Sequence, residues 1–350
     1  MLPHGPTWRN RLALAPLTNK QSHPDGSLSD DEIRWLTARA AGGFGLVMTA
    51  AAYVTPAGKA WLGQLGVHDD AMLPGLTRLA DGLRAAGAVS SVQLHHGGQR
   101  ADPAVSGEAR VAPWDDETTG TRALTLGEIG RVVDDFVAAA VRVERAGFDG
   151  VQVHGAHNYL ICQFLDGARN RRTDGYGGSL DDRARLLREI VSGIRHSTRP
   201  DFQVDLRLTP ERHGIVLPEA REVAAWALGS GLLDTVDLSL WDVRKMPYDP
   251  SLADRLLIDH FTDLDRGRTR LRVAGKVLGA ADAQWCLDRG ADGVVIGTGA
   301  ILHPDFARRA VAEPQFRSVA QPVSRDYLAA QHVGPPFIDY LATGWKDFVR

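Results

Sequence analysis

The sequence of 350 residues has little cysteine, no long apolar run and no excess of positive charge. Its two cysteines, Cys162 and Cys286, are too few for a disulfide framework or a four-cysteine metal site, so we expect a reducing, cytoplasmic environment. Because no stretch of about 18 apolar residues occurs, a membrane-spanning helix is excluded, and the first residues begin no signal segment. The net charge of −3 offers no basic field to nucleic acid. We therefore expect a small-molecule partner.

Eight short β-like runs alternate with eight helical patterns along the chain. Strict alternation favours a parallel sheet, and eight repeats favour a closed (β/α)8 TIM barrel over an open doubly wound sheet. A doubly wound fold normally carries a glycine-rich loop after its first strand, but the first run here leads into APLTN at 15–19. The β-like runs are 12–16, 46–53, 91–96, 150–154, 204–209, 235–240, 272–277 and 293–297. The helical patterns are 30–41, 71–86, 126–146, 181–195, 218–228, 251–264, 280–289 and 304–312.

Residues at the ends of the helical patterns support this division. Thr125 and Ser179 each precede a helical pattern and carry a hydroxyl oxygen that can accept from the first free N–H groups, so we expect them to be N-caps. Gly87, Gly147 and Gly290 each follow a helical pattern, where a left-handed C-cap belongs.

Two segments fall outside the alternation and define the expected domain organisation. Residues 101–122 form a polar, proline- and glycine-rich insertion after strand three, long enough for a lid or a rim hairpin. Residues 317–350 form a tail with scattered aromatic residues. We predict a barrel at 1–316 and a tail at 317–350 that packs on the barrel or on a partner subunit.

The end of the fourth β-like run carries the clearest chemical signal. His154, His157 and Tyr159 follow within six residues, at the position where a barrel enzyme places its active site. Two imidazoles can hold a substrate oxygen, and a phenol beside them can give up a proton. A metal-dependent barrel hydrolase that uses His95 with the two histidines is the alternative. Against it, no carboxylate follows a strand end at a bridging position.

Other strand ends point to a cofactor. Gly275 and Gly297 lie in turns after strands seven and eight, where barrels commonly bind phosphate through backbone N–H groups. Gln93 offers a donor and an acceptor to an amide-like ring edge. Arg207 on an apolar strand is costly to bury unless it meets an anion or an electron-rich ring. A planar, phosphorylated cofactor that accumulates negative charge is indicated, and flavin mononucleotide (FMN) fits this description.

Several sequence motifs together resemble one family. The chain is similar to the old yellow enzymes, the FMN-dependent ene-reductases, in their bacterial branch, over roughly residues 8 to 315. The block HGAHNYLICQFLDGARNRRTDGYGGSLDDR at 154–183 is long and specific. The shorter matches are NR at 10–11 with APLT at 15–18, QLHHGG from Gln93, RLTP at 207–210 and ADGVVIG at 291–297.

The resemblance implies a role for each matching cofactor residue. It places Ala15, Pro16, Leu17 and Thr18 along the flavin, with Thr18 near the C4 carbonyl, Ala51 beside the ring, Gln93 at the pyrimidine edge, Arg207 near N1 and O2, and Gly275, Gly297 and Thr298 at the phosphate. Many relatives carry arginine at the position of Thr298, so we expect weaker FMN retention here, with Lys276 as the candidate for compensation. Lys20 replaces a common aromatic residue near the substrate, and Ala50 replaces a common glutamate.

The resemblance also implies the reaction. NADPH or NADH reduces FMN and leaves, and an activated alkene then enters the same site. His154 and His157 bind its carbonyl or nitro oxygen, and Tyr159 donates the proton. Enones, enals, maleimides and nitro compounds are the expected substrates, and a homo-oligomer is the expected assembly.

Overall fold

The computed structural model describes residues 2–350, and its centre is a closed barrel of eight parallel strands. The strands of the described chain are β1 (Leu12–Leu14), β2 (Leu46–Tyr53), β3 (Val89–His95), β4 (Val111–Ala112), β5 (Arg122–Ala123), β6 (Gly150–Gly155), β7 (Gln203–Leu208), β8 (Thr235–Ser239), β9 (Arg270–Ala274) and β10 (Gly293–Ile296). Around the barrel the order is β1, β10, β9, β8, β7, β6, β3 and β2, and β1 pairs with β2 to close the ring. The predicted (β/α)8 barrel is confirmed.

Helices cover the outside of the barrel. They are α1 (Asp30–Ala41), α2 (Leu73–Ala85), α3 (Pro103–Ser106), α4 (Leu126–Arg145), α5 (Leu160–Leu165), α6 (Leu180–Arg183), α7 (Arg185–Ser197), α8 (Leu217–Gly229), α9 (Asp259–Thr262), α10 (Ala280–Asp288), α11 (Thr298–Leu302), α12 (Phe306–Ala312), α13 (Arg325–Ala330) and α14 (Pro335–Gly344). The predicted caps are confirmed, because Thr125 and Ser179 accept from the third N–H of α4 and α6. Gly87, Gly147 and Gly290 all have φ between 73° and 93°.

The helix predicted at 251–264 is wrong. A 3-10 turn at Pro250–Leu252 and the single turn of α9 replace it. The reason is a long-range backbone hydrogen bond: the N–H of Leu257 donates to the carbonyl of Lys245 at 2.9 Å. A continuous helix would need that N–H for the carbonyl of Ala253, four residues earlier.

The insertion after β3 also differs from expectation. Its strands β4 and β5 pair in parallel, Val111 with Arg122, and so do not form the expected rim hairpin. A tight turn closed by hydrogen bonds between Asp116 and Thr121 carries the chain between them. The insertion therefore folds back beside the mouth of the barrel as a loop with its own short pairing.

The inside of the barrel is filled at its amino-terminal end by a buried ion pair. Arg272 on β9 donates to Asp205 on β7 at 2.8 Å, and Gln203 donates to the same carboxylate at 2.7 Å. Burial raises the pKa of Asp205 to about 6, while the Arg272 charge opposes the shift. A cavity of about 460 Å³, lined by residues that include Trp8 and Arg272, adjoins this ion pair. The polar groups predicted to do chemistry lie instead at the carboxyl ends of the strands.

Residues 317–350 lie against the barrel wall. The ring of Phe337 on α14 meets Trp35 on α1 edge-on at 5.1 Å, and both side chains are buried. The N–H of Gly334 donates to Gln21 at 2.9 Å. The chain then continues past α14 to Trp345 at the mouth. The division into units 1–316 and 317–350 stays a prediction.

Candidate active site

The loop after β6 brings three polar rings to the carboxyl end of the barrel. His154 is the penultimate residue of β6, and Tyr159 is the N-cap of α5. Between them His157 and Asn158 adopt left-handed conformations, with φ of 62° and 61°. The His157 N–H donates to Thr209 Oγ1 at 2.9 Å, which holds this turn on the end of β7. Left-handed residues other than glycine are uncommon and concentrate at functional sites.

The rings form one contiguous cluster. The centroids of His154 and His157 lie 5.0 Å apart, and those of His154 and Tyr159 lie 5.2 Å apart. His95, at the end of β3, meets the Tyr159 ring edge-on at 4.3 Å. Its Nδ1 lies 3.0 Å from the side-chain nitrogen of Gln64, which orients the ring. Sequence reasoning placed His95 outside the site except in the metal alternative, whereas the structure packs it against the phenol.

Burial sets the protonation state of this cluster. It lowers the pKa of both His154 and His157 well below the usual 6.5, and the Arg207 charge adds to the effect on His157. It raises the pKa of Tyr159 above 10, although the Arg100 guanidinium opposes that shift. At neutral pH the two imidazoles are therefore neutral and the phenol is protonated, so each ring can donate one hydrogen bond.

One ring nitrogen of His157 and both ring nitrogens of His154 are without a hydrogen bond to any residue of the range 2–350. Nε2 of His157 lies 2.8 Å from the hydroxyl of Ser239 at the end of β8. Its Nδ1 makes no hydrogen bond to any residue in the described range 2–350. His154 has its buried Nδ1 without a partner. Buried polar atoms without partners are rare in folded proteins and call for an unseen partner, which here would be a ligand or water.

A cavity of about 230 Å³ adjoins the cluster at Ser239. Seven of the eleven residues predicted to bind the cofactor line it, together with residues of β8, β9 and the tail. The lining consists of Ala15, Leu17, Arg207, Ser239, Trp241, Ala274, Gly275, Lys276, Val277, Val295, Gly297, Thr298 and Trp345. The structure thus brings the strand ends of β1, β7, β9 and β10 to one hollow beside the histidines.

The other four predicted cofactor residues lie around this hollow in β1, β2 and β3 or their loops. Pro16 and Thr18 are half-buried in the segment after β1. Ala51 on β2 and Gln93 on β3 are direct partners in the parallel register, and both are buried. None of these four is among the residues that line the cavity.

A chain of buried polar groups crosses the barrel interior from Gln93 to Arg207. The amide of Gln93 donates to Gln152 at 2.7 Å, and Gln152 donates to Asp237 at 3.3 Å. Asp237 is 3.5 Å from Arg207 Nε, which has no hydrogen-bond partner despite complete burial. Asp237 therefore pairs the Arg207 charge at Nε, while the terminal NH2 groups of Arg207, which lines the cavity, form no hydrogen bond with any other residue of the range 2–350. This donor set fits the anionic edge of a flavin.

The phosphate end predicted for the site carries less charge than expected. Lys276 lines the cavity, but its ammonium group is 3.1 Å from Asp242 and the side chain is 71% exposed. Thr298 opens α11 and contributes an uncharged side chain. The suggestion that Lys276 compensates for the missing arginine is therefore weakened, because its charge is already paired.

Three residues near the site escaped the sequence reasoning. Trp345 closes one wall of the cavity from a position far along the chain. Tyr340 on α14 is near enough to Tyr159 to raise the pKa of that phenol. Arg100 stacks on Tyr159 at 4.7 Å and donates to the carbonyl of His157 at 2.8 Å. The sequence shows that the tail is rich in aromatic residues, but it does not show that they reach the candidate site.

Two further features bear on function. Within residues 2–350, no group of three or more histidine, cysteine, aspartate or glutamate side chains is placed to hold a metal ion. The same residues include no helix long and apolar enough to cross a membrane. The homo-oligomer and the cytoplasmic location stay predictions.

Comparison with known proteins agrees with this architecture. Residues 5–246 match the NADH:flavin oxidoreductase / NADH oxidase family. The chain is 35% identical to a Bacillus subtilis protein described as "Probable NADH-dependent flavin oxidoreductase YqiG", over 98% of this chain and 95% of that one. It is 34% identical to an NADPH dehydrogenase of Halalkalibacterium halodurans, over 77% and 82% of the two chains. Some relatives are longer, and the chain spans 48% of an NADH oxidase of Thermoanaerobacter brockii.

Solved structures lead to the same family. The old yellow enzyme homologue from Zymomonas mobilis superimposes with a TM-score of 0.81 at 26% identity, over 96% of this chain and 97% of that one. With an oxidoreductase family matched, the metal-dependent hydrolase has no support. The chain belongs to the NADH:flavin oxidoreductase / NADH oxidase family, that of the old yellow enzymes, and is an FMN-dependent NAD(P)H flavin oxidoreductase.

Proposed function

We propose that the protein reduces activated C=C bonds with NAD(P)H, by a ping-pong sequence in which both substrates use one site. Enones, enals, maleimides and nitro compounds are the substrate classes. The observation that carries the proposal is the cluster of His154, His157 and Tyr159, two neutral imidazoles and a protonated phenol beside the cavity. Such a cluster can hold an oxygen that becomes negative and can protonate a neighbouring carbon.

The two histidines act on the activating group of the alkene. Each neutral ring donates one N–H toward the carbonyl or nitro oxygen, and the bond strengthens as enolate charge develops there. Because both rings are buried and fixed, by Ser239 and Thr209 for His157, little reorganisation is needed. Loss of one such donor typically costs about 10²–10³-fold in rate.

Tyr159 protonates the α-carbon. Its pKa, raised by burial, keeps the phenol protonated at neutral pH, and Arg100 stacked on the ring stabilises the phenolate that remains after transfer. General acid catalysis of this kind contributes about 10²–10⁴-fold. His95 packs on the other side of the phenol and limits its motion.

The cavity residues would hold FMN. Arg207 would face its anionic edge, and Gly275, Gly297 and Thr298 would approach its phosphate, as the lining of the cavity permits. Bound FMN supplies the hydride acquired from NAD(P)H. The polar chain from Gln93 to Arg207 keeps these donors fixed in the absence of solvent.

Anaerobic spectroscopy tests the proposal. The flavin band of the purified protein should bleach on addition of NADPH and return on addition of 2-cyclohexenone. In Tyr159→Phe the bleaching should be unchanged while the recovery slows by about 10²-fold or more. Tyr176→Phe is the matched control, since Tyr176 lies on the loop that follows α5 and its hydroxyl donates to Glu189 on α7 rather than to a ligand.

Two results would contradict the proposal. If the flavin bleaches but fails to recover with every alkene class proposed, ene-reduction is refuted. Only the flavin oxidoreductase activity of the family then remains. An unchanged recovery rate in Tyr159→Phe would remove the phenol as proton donor.

A further inference from the structure

Aromatic rings around the barrel mouth carry cations on their faces. The Arg100 guanidinium lies 4.7 Å from the ring centre of Tyr159, and that of Arg212 lies 4.3 Å from Trp241. The ammonium of Lys20 lies 5.0 Å from the ring centre of Tyr340. The rings belong to the loops after β6 and β8 and to α14. Positive charge therefore surrounds the entrance from three sides.

These three cations lack carboxylate partners. No ion pair within 4 Å is formed by Arg100, Arg212 or Lys20 among residues 2–350. Two other cations near the mouth differ in this respect, since Arg169 pairs with Asp166 at 3.0 Å and Lys276 pairs with Asp242 at 3.1 Å. Unpaired cations close to a low-dielectric site attract anions more strongly than paired ones.

The cations lie close to the reacting groups. Arg100 donates to the carbonyl of His157, and Trp241, which carries Arg212, meets the His157 ring at 5.7 Å. His213 is close to both Arg100 and Arg212. Burial lowers the pKa of its imidazole, and the charges of both arginines lower it further. A ligand held by the histidines would thus have its far end between Arg100 and Arg212.

Guanidinium groups stacked on aromatic rings are pre-organised to bind an anion. Stacking fixes the plane of the group and leaves its N–H edge free for a planar two-oxygen partner. It also removes part of the side-chain entropy that an exposed arginine would lose on binding. Arg212 is fixed further by its left-handed backbone, with φ of 93°.

We propose that Arg100 and Arg212 bind an anionic group, a carboxylate or a phosphate, on the ligand that enters the mouth. The ligand class is then an activated alkene that carries a carboxylate at its far end, or else the phosphates of the nicotinamide dinucleotide. The inference rests on the proposed function for the first source only. Lys20 is the third charge at the entrance and attracts the same ligands at longer range.

A matched pair of maleimides tests the first source. Enzyme reduced with dithionite is mixed with N-ethylmaleimide or N-(2-carboxyethyl)maleimide, and flavin reoxidation is followed anaerobically in a stopped-flow instrument. The carboxylate compound should be favoured, and the ratio of the two second-order rate constants should fall about tenfold in Arg212→Gln, the effect of one charge-assisted hydrogen bond. Arg289→Gln is the control, because that guanidinium stacks on Trp285 outside the mouth. Its ratio should equal that of the wild type.

The second source is tested in the reductive half-reaction. If the dinucleotide phosphates are the anion, the ratio of the flavin reduction rates with NADPH and with the phosphate-free 1-benzyl-1,4-dihydronicotinamide falls in Arg212→Gln, while the maleimide ratio stays at the wild-type value. Titration of the oxidised holoenzyme with succinate and succinamide reports the preference for an anion without turnover. Succinate should bind about tenfold more tightly. Because the succinate titration needs no alkene reduction, it still tests the inference if the proposed function fails. Failure of the inference and failure of the proposed function can therefore be told apart.

Two outcomes would overturn the inference. In one, succinate and succinamide bind equally to the wild type, and both rate ratios are the same in Arg212→Gln as in Arg289→Gln. In the other, the charge preference exists but survives in the double variant Arg100→Gln, Arg212→Gln. Either would show that the cations at the mouth do not contact the ligand.

Discussion

Replacing Ser239 by alanine should weaken the histidine pair without removing either histidine. The Ser239 hydroxyl lies 2.8 Å from Nε2 of His157 and is 93% shielded from solvent. For the neutral ring to donate from Nδ1, the nitrogen without a partner, Nε2 must accept the hydroxyl proton. A hydroxyl can also accept, so for this prediction we assign Ser239 the donor role, in which it favours the tautomer that can bind a substrate oxygen. In Ser239→Ala nothing selects it, and the ring is also free to rotate.

The magnitude follows from one hydrogen bond. A neutral hydrogen bond of this kind contributes about 0.5–1.5 kcal/mol net, which corresponds to about two- to twelvefold in rate when it acts only in the transition state. The expected loss is thus well below the roughly 10²–10³-fold that removal of the donor itself, as in His157→Ala, should cause. Bleaching by NAD(P)H should change less than reoxidation, because enolate charge develops only in the second half-reaction.

Stopped-flow measurement of the two half-reactions checks this reasoning. Ser91→Ala is the matched control, since Ser91 is a buried serine on β3 whose hydroxyl has no partner. Ser239→Thr keeps the hydroxyl and should restore most of the rate. A Ser239→Ala enzyme that reoxidises as fast as the wild type would refute the role of the tautomer, and so would a loss as large as that of His157→Ala.

Four more predictions concern the cofactor and pH. Thr298→Arg should tighten FMN binding about tenfold by adding a charge-assisted contact to the phosphate. Titration of FMN fluorescence with apoprotein measures the dissociation constant, and equal values for the variant and the wild type would contradict this prediction. Trp345→Ala should weaken FMN binding by opening one cavity wall, at a cost of about 1–2 kcal/mol, measured by the same titration. The reoxidation rate should be flat from about pH 6.5 to 9, because the pKa values of His154 and His157 lie well below 6.5 and that of Tyr159 lies above 10. A reoxidation rate that changes with an apparent pKa near 6.5 would contradict that assignment. Stability should nevertheless fall below about pH 6.5, since the histidines take up protons there only when the chain unfolds, as thermal melts against pH would show.

The parts of the fold that the sequence predicted are those with strong local signals. The strand β6 was found because four residues of extended pattern follow a left-handed glycine, Gly147, and end in His154. The helix α4 was found because Thr125 precedes a helical pattern as an N-cap, and the structure adds Glu128 to that cap. In these segments local preference and tertiary burial favour the same structure.

The parts that escaped depend on distant neighbours. The segment before α9 has a helical pattern, yet the hydrogen bond from the Leu257 N–H to the distant Lys245 carbonyl interrupts it. The parallel pairing of β4 with β5 depends on a turn whose composition suits a hairpin equally well. Within the candidate site, the sequence could place His154 and Tyr159 on one loop, but stacking of Arg100 on Tyr159 joins two loops and is not visible along the chain.

The cavity beside the histidines is built from both ends of the chain, since Ala15 and Leu17 face Trp345 across it. During synthesis β1 leaves the ribosome long before its neighbour β10, and Trp345 follows later still. At typical translation rates the interval is roughly 15–65 s. The unfinished barrel then has two open edges that can pair with other chains. We therefore expect the cofactor to be captured only after translation, when β10 and Trp345 are both in place.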